Sequence, residues 1–519
     1  MDDQYQDTTT NEKYHIPDFQ KPQQATIEGS FILEPKKTQK KSLMQKRASL
    51  SRKSKQTSLK MLTELTPNER SHQIQVLANQ VQQYQRLMYL IALNSAWSTY
   101  SYNLCLYYCR SVLGASGADY SIFVSIMSIP WYLKPLWGFL SDSFFVFGYR
   151  FKSHCVLMSL LMIAPMLSYL LHPTPNLTYF TICQLVYNFG VAYVDALAEG
   201  ISAVVTKLRE TIQLLEEFNR MSGAYDKDSD LYSEGYKQRI ENSVKALGTF
   251  NAVKSFFSSF MTFLGGFLIT FTPLSLSGVV LAAYPVIFAV AVIFVFREEK
   301  KNYFFNGCLE FRMGLYYTLR TIITPQVLLP FLYMILVTTP PTAMNDFSYV
   351  LLGPGGWSFE LYNSISLYSN ILLSILFLLM VRLGDFVRFN QLMLMSQIMV
   401  SFSVVLGGLC LYAYEVSHWL FSVFWLFQMT LYNLGFNLTS IVLVGRVSTF
   451  LADGYESTGV AVVIAANNFA NSLRNQFSGS FLDYYNVGNG YYWRLKTPQF
   501  YSSLAMIGYV LVAPMFLFQ

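Results

Sequence analysis

Apolar runs of membrane-spanning length recur about twelve times from residue 88 onward, each near the roughly 20 residues a helix needs to cross a bilayer. They cover 88–112, 120–140, 155–171, 179–205, 244–270 and 274–296 in the first half of the chain. In the second half they cover 321–340, 359–381, 391–414, 419–443, 458–482 and 500–518. A segment surrounded by lipid has no water to bond to, so its backbone has to satisfy itself, and a helix does this within one run. The expected fold is therefore all-α and integral to a membrane. Charge supports this: only 13% of the 519 residues are Asp, Glu, Lys or Arg, about half the usual fraction of a soluble domain.

The connections between runs alternate in charge. Arg150 and Lys152, the stretch 297–320, Arg382 with Arg388, and Arg446 mark every second one. Most of those between are almost free of charge; the last, with Arg494, Lys496 and Asp483, departs from the pattern. Basic connections stay in the cytosol, and an even number of spans then puts both termini there. Asn176-Leu-Thr178 falls on the outer side as a glycosylation acceptor sequence. No short apolar region precedes a small-residue cleavage site, so the first span is expected to act as the insertion signal.

Four units follow. Residues 1–85 form a cytosolic arm, polar and mostly disordered because it has too little apolar surface to offset ordering. Within it, 71–85 shows helical spacing and is expected to lie along the interface before the first span. Residues 86–296 form one six-helix bundle, 297–320 a cytosolic linker, and 321–519 a second six-helix bundle. The insert at 207–241 reads as a cytosolic extension of the fourth helix followed by a flexible segment. The arm is strongly basic over 36–60. The favoured reading is a tail that fixes topology; the competing one is contact with anionic lipid, switched by phosphorylation at Ser49 or Ser54. Nucleic acid is not an expected partner, since the arm lacks an aromatic platform.

Repeated bundles around a midplane site are a common transporter plan, and the charged residues inside the runs mark where such a site would be. Asp195 and Glu199 stand four positions apart in the fourth run, hence on one helix face. Intramembrane acids are costly and usually functional or paired. They are candidates for proton coupling, or for a static pair with Lys134 or Lys254 in the second and fifth runs. Those lysines could equally meet an anionic solute. Arg474, near Asn467, Asn468, Asn471 and Asn475 of the eleventh run, gives an unusually polar face that is expected to line water or a cavity. Asn471 and Arg474 are thus further candidates for solute or charge-pair contact.

A cytosolic gate is expected where the second run ends. Gly138, Asp142, Gly148, Arg150 and Lys152 form an acidic-basic hairpin there, and Asp385 with Arg388 repeats it after the eighth run. A carboxylate at a helix end can pair with basic groups across the two halves and bias a two-state equilibrium; a pure topology signal is the plainer alternative. The six cysteines are scattered, so neither a metal site nor a disulfide framework is expected. There is no GxxxxGK[ST], HExxH or GxSxG, which argues against an ATP-driven pump or a common hydrolase. The chain is not expected to be an enzyme or to need a cofactor.

Pro130-Trp131, Lys134-Pro135-Leu136, Gly138, Ser141-Asp142 and Gly148-Tyr149-Arg150 together resemble the second-span motif of the folate-biopterin transporter family, a branch of the major facilitator superfamily. Asp195-Ala196-Leu197, Pro341-Thr342-Ala343 and Gly454-Tyr455-Glu456-Ser457-Thr458 are similar to further family segments. Phe145 and Phe151 depart from the motif, as do the basic arm, the 207–241 insert and Arg474. The resemblance implies the major facilitator fold and import of folates or pterins, coupled to protons. Some members carry other solutes, such as S-adenosylmethionine. A structural or docking protein that keeps the fold without transport is the alternative from another class, and a channel a third. The residues alone imply a proton-linked carrier of a polar, aromatic solute in the plasma membrane or an internal membrane.

Overall fold

A computed structural model describes residues 66–115, 117–220, 230–298, 358–383, 389–448 and 456–484, with residue 300 and scattered positions between 315 and 335. These belong to one compact unit, 66–519. Among them the secondary structure is helical apart from an isolated bridge in one turn.

The first helix, α1 (Pro67–Tyr107), starts earlier than the apolar pattern indicates. Thr66 and Glu69 form a capping box, in which Thr66 Oγ1 accepts from the Glu69 amide while the Glu69 carboxylate accepts from Thr66 N at 2.8 Å. Pro67 follows at the first helical position, where a missing N–H costs nothing. The helix then runs without a break into the first span. The segment 71–85 is therefore not a separate interfacial element, and ordered structure reaches some 20 residues into the arm expected at 1–85.

The second run is not one helix. It breaks into α2 (Gly117–Met127), α3 (Ile129–Tyr132) and α4 (Lys134–Ser143), with Pro130 and Pro135 in the first turns of the last two. Proline removes an amide donor and clashes with the preceding turn. The Trp137 indole N–H donates to the Pro130 carbonyl at 2.9 Å, across the second break. After α4 the chain reverses through Val146-Phe147-Gly148-Tyr149. Phe147 and Gly148 both have positive φ, 54° and 83°, as a two-residue type I′ turn requires.

The remaining helices of the first half are α5 (Lys152–Leu167), α6 (Leu177–Arg220), α7 (Asp230–Phe271) and α8 (Leu274–Val295). Asn176 Oδ1 accepts from the Tyr179 amide and so serves as a cap for α6. The fourth helix extends well beyond its apolar run, as expected. The fifth begins at Asp230, so the second part of the 207–241 insert is helix rather than a flexible segment. In the second half the described helices are α9 (Phe359–Leu383), α10 (Phe389–Val416), α11 (His418–Ser448) and α12 (Glu456–Tyr484).

Among the described residues six helices are long and apolar enough to cross a membrane: Lys152–Leu170, Leu177–Gln213, Lys245–Phe271, Leu274–Val295, Phe359–Arg382 and Gln391–Val416. The chain is a multi-pass, all-α membrane protein. Two long helices outside that set, α1 and α12, turn polar residues inward. Asn94, Ser95, Ser101 and Asn103 of α1 are buried, as are Ser457, Thr458, Asn467 and Arg474 of α12. Large apolar side chains face outward instead, such as Phe256, Phe260, Phe263 and Phe267 along α7. This is the arrangement a bilayer selects, because lipid solvates phenylalanine and leaves buried polar groups to one another.

Among the described residues two antiparallel seams join the halves. Along the first, α7 meets α9: Ser374 Oγ donates to the Ala252 carbonyl at 2.9 Å, and Asn370 approaches Thr262 Oγ1 at 3.4 Å. Along the second, the broken span meets α12. Gly138 packs on Ser457, Asn468 reaches the Trp131 carbonyl, and the rings of Tyr132 and Phe469 meet edge to face.

Candidate functional site

Four buried or half-buried charges converge where α1, α4, α6 and α7 come together. Lys134, in the first turn of α4, is 1% exposed. Its Nζ lies 2.8 Å from Asp195 Oδ2 and 2.6 Å from Glu199 Oε1. The one-turn spacing of the two acids on α6 lets one ammonium bridge both. Lys254 of α7 approaches Asp195 Oδ1 at 3.5 Å and keeps 31% of its side chain exposed. Ser95 of α1 donates to the same oxygen at 2.8 Å. The Trp131 ring lies under Lys134, its centroid 4.8 Å from Nζ.

Formal charges in this cluster cancel, with two lysines against two carboxylates. Isolated ions at membrane depth are costly, and mutual pairing with short hydrogen bonds offsets part of that cost. The acids are not equivalent. Both Asp195 oxygens face donors, whereas Glu199 Oε2 is buried without a hydrogen-bond partner.

The cluster lies between two closures. At one end α12 presses on α4 and α6. A Cβ on Gly138 would meet the Ser457 carbonyl oxygen at 2.5 Å, and one on Gly200 would overlap the Ser457 side chain. Asp142, at the end of α4, accepts from the Thr458 amide and hydroxyl, both at 2.8 Å. Its other oxygen meets Arg150 Nη2 at 2.5 Å. At the other end Asn103 Nδ2 donates to Asn363 Oδ1 at 3.0 Å, joining α1 to α9, and Tyr107 packs on Phe359. Asn103 is eight positions from Ser95, a rise of about 12 Å along α1.

The hairpin residues divide between two tasks. Arg150 pairs with Asp142 inside the first half, and across the halves Asp142 reaches Thr458, at the start of α12. The physical reason is that the first amides of a helix are unbonded donors and attract a carboxylate. The Lys152 Nζ donates to the Ile293 and Phe296 carbonyls at 2.8 and 3.1 Å, at the end of α8. Glu298 accepts from the amides of Arg150, Phe151 and Lys152, fixing the hairpin to that end. Gly148 supplies the left-handed turn. Asp385 and Arg388 lie outside the described residues.

Arg474 stands apart from the cluster. It is 2% exposed, within the second half. It donates to the Tyr432 hydroxyl and to Asn471 Oδ1, and its guanidinium carbon lies 4.9 Å from the Tyr432 ring centre. Among the described residues no carboxylate pairs with it, and its Nε has no partner. A small cavity of about 10 Å³ adjoins it, lined also by Gln397, Thr439 and Asn467. Asn467 and Arg474 are the α12 residues that line it. Ser95, Asn103 and Asn363 were not marked by the sequence, while Ser457 and Thr458 were marked there only as part of the family resemblance. Uncharged polar residues are frequent in these runs and carry no pattern that separates a site partner from a packing residue.

Residues 98–214 match the model of the BT1 family. That segment holds Lys134, Asp142, Asp195 and Glu199. Folate transporter 1 of Plasmodium falciparum (isolate 3D7) is 21% identical over 379 residues, 71% of this chain and 66% of that protein. A protein named probable folate-biopterin transporter 2, from Arabidopsis thaliana, is 26% identical over 97 residues, 19% of each chain. The matched parts thus span less than two thirds of these relatives. The resemblance to the folate-biopterin transporters is shown by these matches. The crystal structure of nucleoside transporter NupG, in a mutant form, superposes with a TM-score of 0.54 at 14% identity, over 85% of this chain and all of that one. The chain therefore has the fold of a membrane transporter.

Proposed function

We propose that this membrane transporter is a secondary active carrier that moves folate or pteridine-like solutes by alternating access, coupled to protons. The observation that carries the reading is the neutral cluster of Lys134, Lys254, Asp195 and Glu199, enclosed between a closure at Ser457 and Thr458 and another at Asn103 and Asn363. A carrier needs a central polar site and two gates that open in turn. A static structural pair would need neither gate.

In this reading 86–296 and 321–519 are the two moving bundles, joined by the linker at 297–320. Gly138, Asp142 and Arg150 form the cytosolic gate, with Gly148 and Lys152 setting the hairpin, and Asp385 with Arg388 their counterpart. Asp195 and Glu199 serve coupling, Lys134 and Lys254 hold charge or solute, and Arg474 with Asn471 offers a second polar contact. Both termini are cytosolic, in the plasma membrane or an internal one, and the basic stretch 36–60 fixes topology or touches anionic lipid. The names of the two relatives support the folate class.

The test is uptake of labelled folic acid and biopterin by a transport-deficient host expressing the chain, at acidic and neutral external pH. Uptake that rises in acid and falls on Asp195→Asn supports the carrier. No uptake despite surface expression rejects the folate class and makes S-adenosylmethionine the next solute to try. If loss of residues 1–60 is then the only change that abolishes a cellular effect, the docking reading takes its place.

A further inference from the structure

Charge bookkeeping at the central cluster separates the two acids. Asp195 Oδ2 faces Lys134, and Oδ1 faces Ser95 and Lys254. A proton on either oxygen would point at a donor that is already there. Glu199 Oε1 takes Lys134 at 2.6 Å, while Oε2 is buried with nothing to accept from. A proton on Oε2 displaces no bond and relieves a buried, unsatisfied anionic oxygen.

The groups around Glu199 are few. Lys134 comes from α4, Lys254 from α7, and Asp195 lies one turn back on α6. Ser95 of α1 and Ser457 of α12 do not titrate. His154 of α5 is engaged by the Tyr193 hydroxyl and the Phe144 carbonyl. The cluster is neutral when both acids are ionised. Protonating Glu199 leaves it with one excess positive charge, which at this depth favours the arrival of one negative charge. The lysines differ in readiness to receive it: Lys134 is 1% exposed with two short bonds, while Lys254 is 31% exposed with one contact at 3.5 Å.

We propose that Glu199 carries the coupling proton on Oε2, that Asp195 stays ionised as the anchor of both lysines, and that Lys254 takes one anionic group of the solute. The proposal rests on the carrier reading and specifies its coupling. One proton and one negative charge enter together, and both leave on the opposite side, so the empty cluster returns to zero charge. Neutral pteridines then bind without Lys254.

The proton half is read without any solute. Infrared difference spectra of the full chain in lipid, between neutral and acidic pH, are expected to show a protonated-carboxyl C=O band. Glu199→Gln removes it, and Glu199→Asp keeps it at a shifted position. A band that survives Glu199→Gln, or no band in the wild type, overturns the assignment. The anion half is read by binding of folic acid and biopterin to purified Lys254→Gln. Folic acid is expected to weaken roughly ten-fold or more, the scale of a lost charge-assisted hydrogen bond, and biopterin by clearly less. Equal loss of both, or loss of neither, overturns it. If the wild type binds neither compound, the folate reading and the anion half fall together, while the Glu199 band still decides the proton half.

Discussion

Asp142 Oδ2 accepts two hydrogen bonds from Thr458, one from the backbone amide and one from the hydroxyl, each 2.8 Å long and spanning 316 positions of sequence. The carboxylate thus sits where α12 begins, held from behind by Arg150. Losing it removes charge-assisted bonds across the halves, worth roughly 1.5–3 kcal/mol to the closed state. Asp142→Ala is expected to open that end. Thiol labelling at position 457, fully buried in the closed arrangement, should then accelerate in a Ser457→Cys background. Labelling no faster than with Asp142 intact would show that the contact does not hold the gate.

Gly138 makes the same closure possible by steric means. A Cβ there would stand 2.5 Å from the Ser457 carbonyl oxygen, and backbone cannot yield as a side-chain tip can. Gly138→Ala is expected to fold, because alanine favours the α4 helix, yet to lower the maximal uptake rate by keeping the seam apart. Reduced surface expression in place of reduced rate would point to a folding role for the glycine.

The opposite closure rests on two neutral amides. Asn103 is 2% exposed and Asn363 4%, and they bond at 3.0 Å. A thermal-stability cycle of Asn103→Ala, Asn363→Ala and the double variant should give a coupling of about 0.5–1.5 kcal/mol, the net worth of a neutral hydrogen bond. Strict additivity would mean that the pair does not bridge the halves.

Much of this arrangement was legible in the residues. Among the described residues the apolar runs placed the helices because lipid imposes a length, and Lys134, Asp195, Glu199 and Lys254 stood out because ions are rare at that depth. What escaped notice lacked either signal. The breaks before Pro130 and Pro135 lie inside an apolar run that reads as continuous. Ser95, Asn103 and Asn363 look like any other small polar residue in a span. The start of α1 was hidden because Thr66-Pro67-Asn68-Glu69 precedes a polar stretch, where the capping pattern has no apolar periodicity beside it. The role of Lys152 depends on where α8 ends, which spacing alone does not give.

That helix start is itself testable by pH. Hydrogen bonds from the Thr66 amide and hydroxyl hold the Glu69 carboxyl below its usual value. A depressed acid contributes stability that is present above its unfolded value and lost as pH falls through its folded one. Exchange protection of the Glu69 amide, corrected for intrinsic rates, is expected to drop in acid, and to be low at all pH values in Thr66→Ala. Protection independent of both changes would remove the capping box as the determinant.

Arg474 sets function against stability. Its guanidinium is buried among Tyr432, Asn471 and Gln397, without a carboxylate among the described residues and with Nε unbonded. A buried charge in that state costs several kcal/mol, and replacing buried ions with apolar groups of similar size is often neutral or stabilising by about 1–4 kcal/mol. If the arginine served packing alone, methionine of similar length would serve as well. Arg474→Met is therefore expected to raise the thermal midpoint of the purified chain while lowering uptake, the trade expected of a residue kept for what it binds. Arg474→Lys keeps the charge but loses the fork that reaches Tyr432 and Asn471 together, and should lower uptake without the gain in stability. A lower midpoint for Arg474→Met would assign the residue to structure, with its bonds to Tyr432 and Asn471 holding α11 to α12.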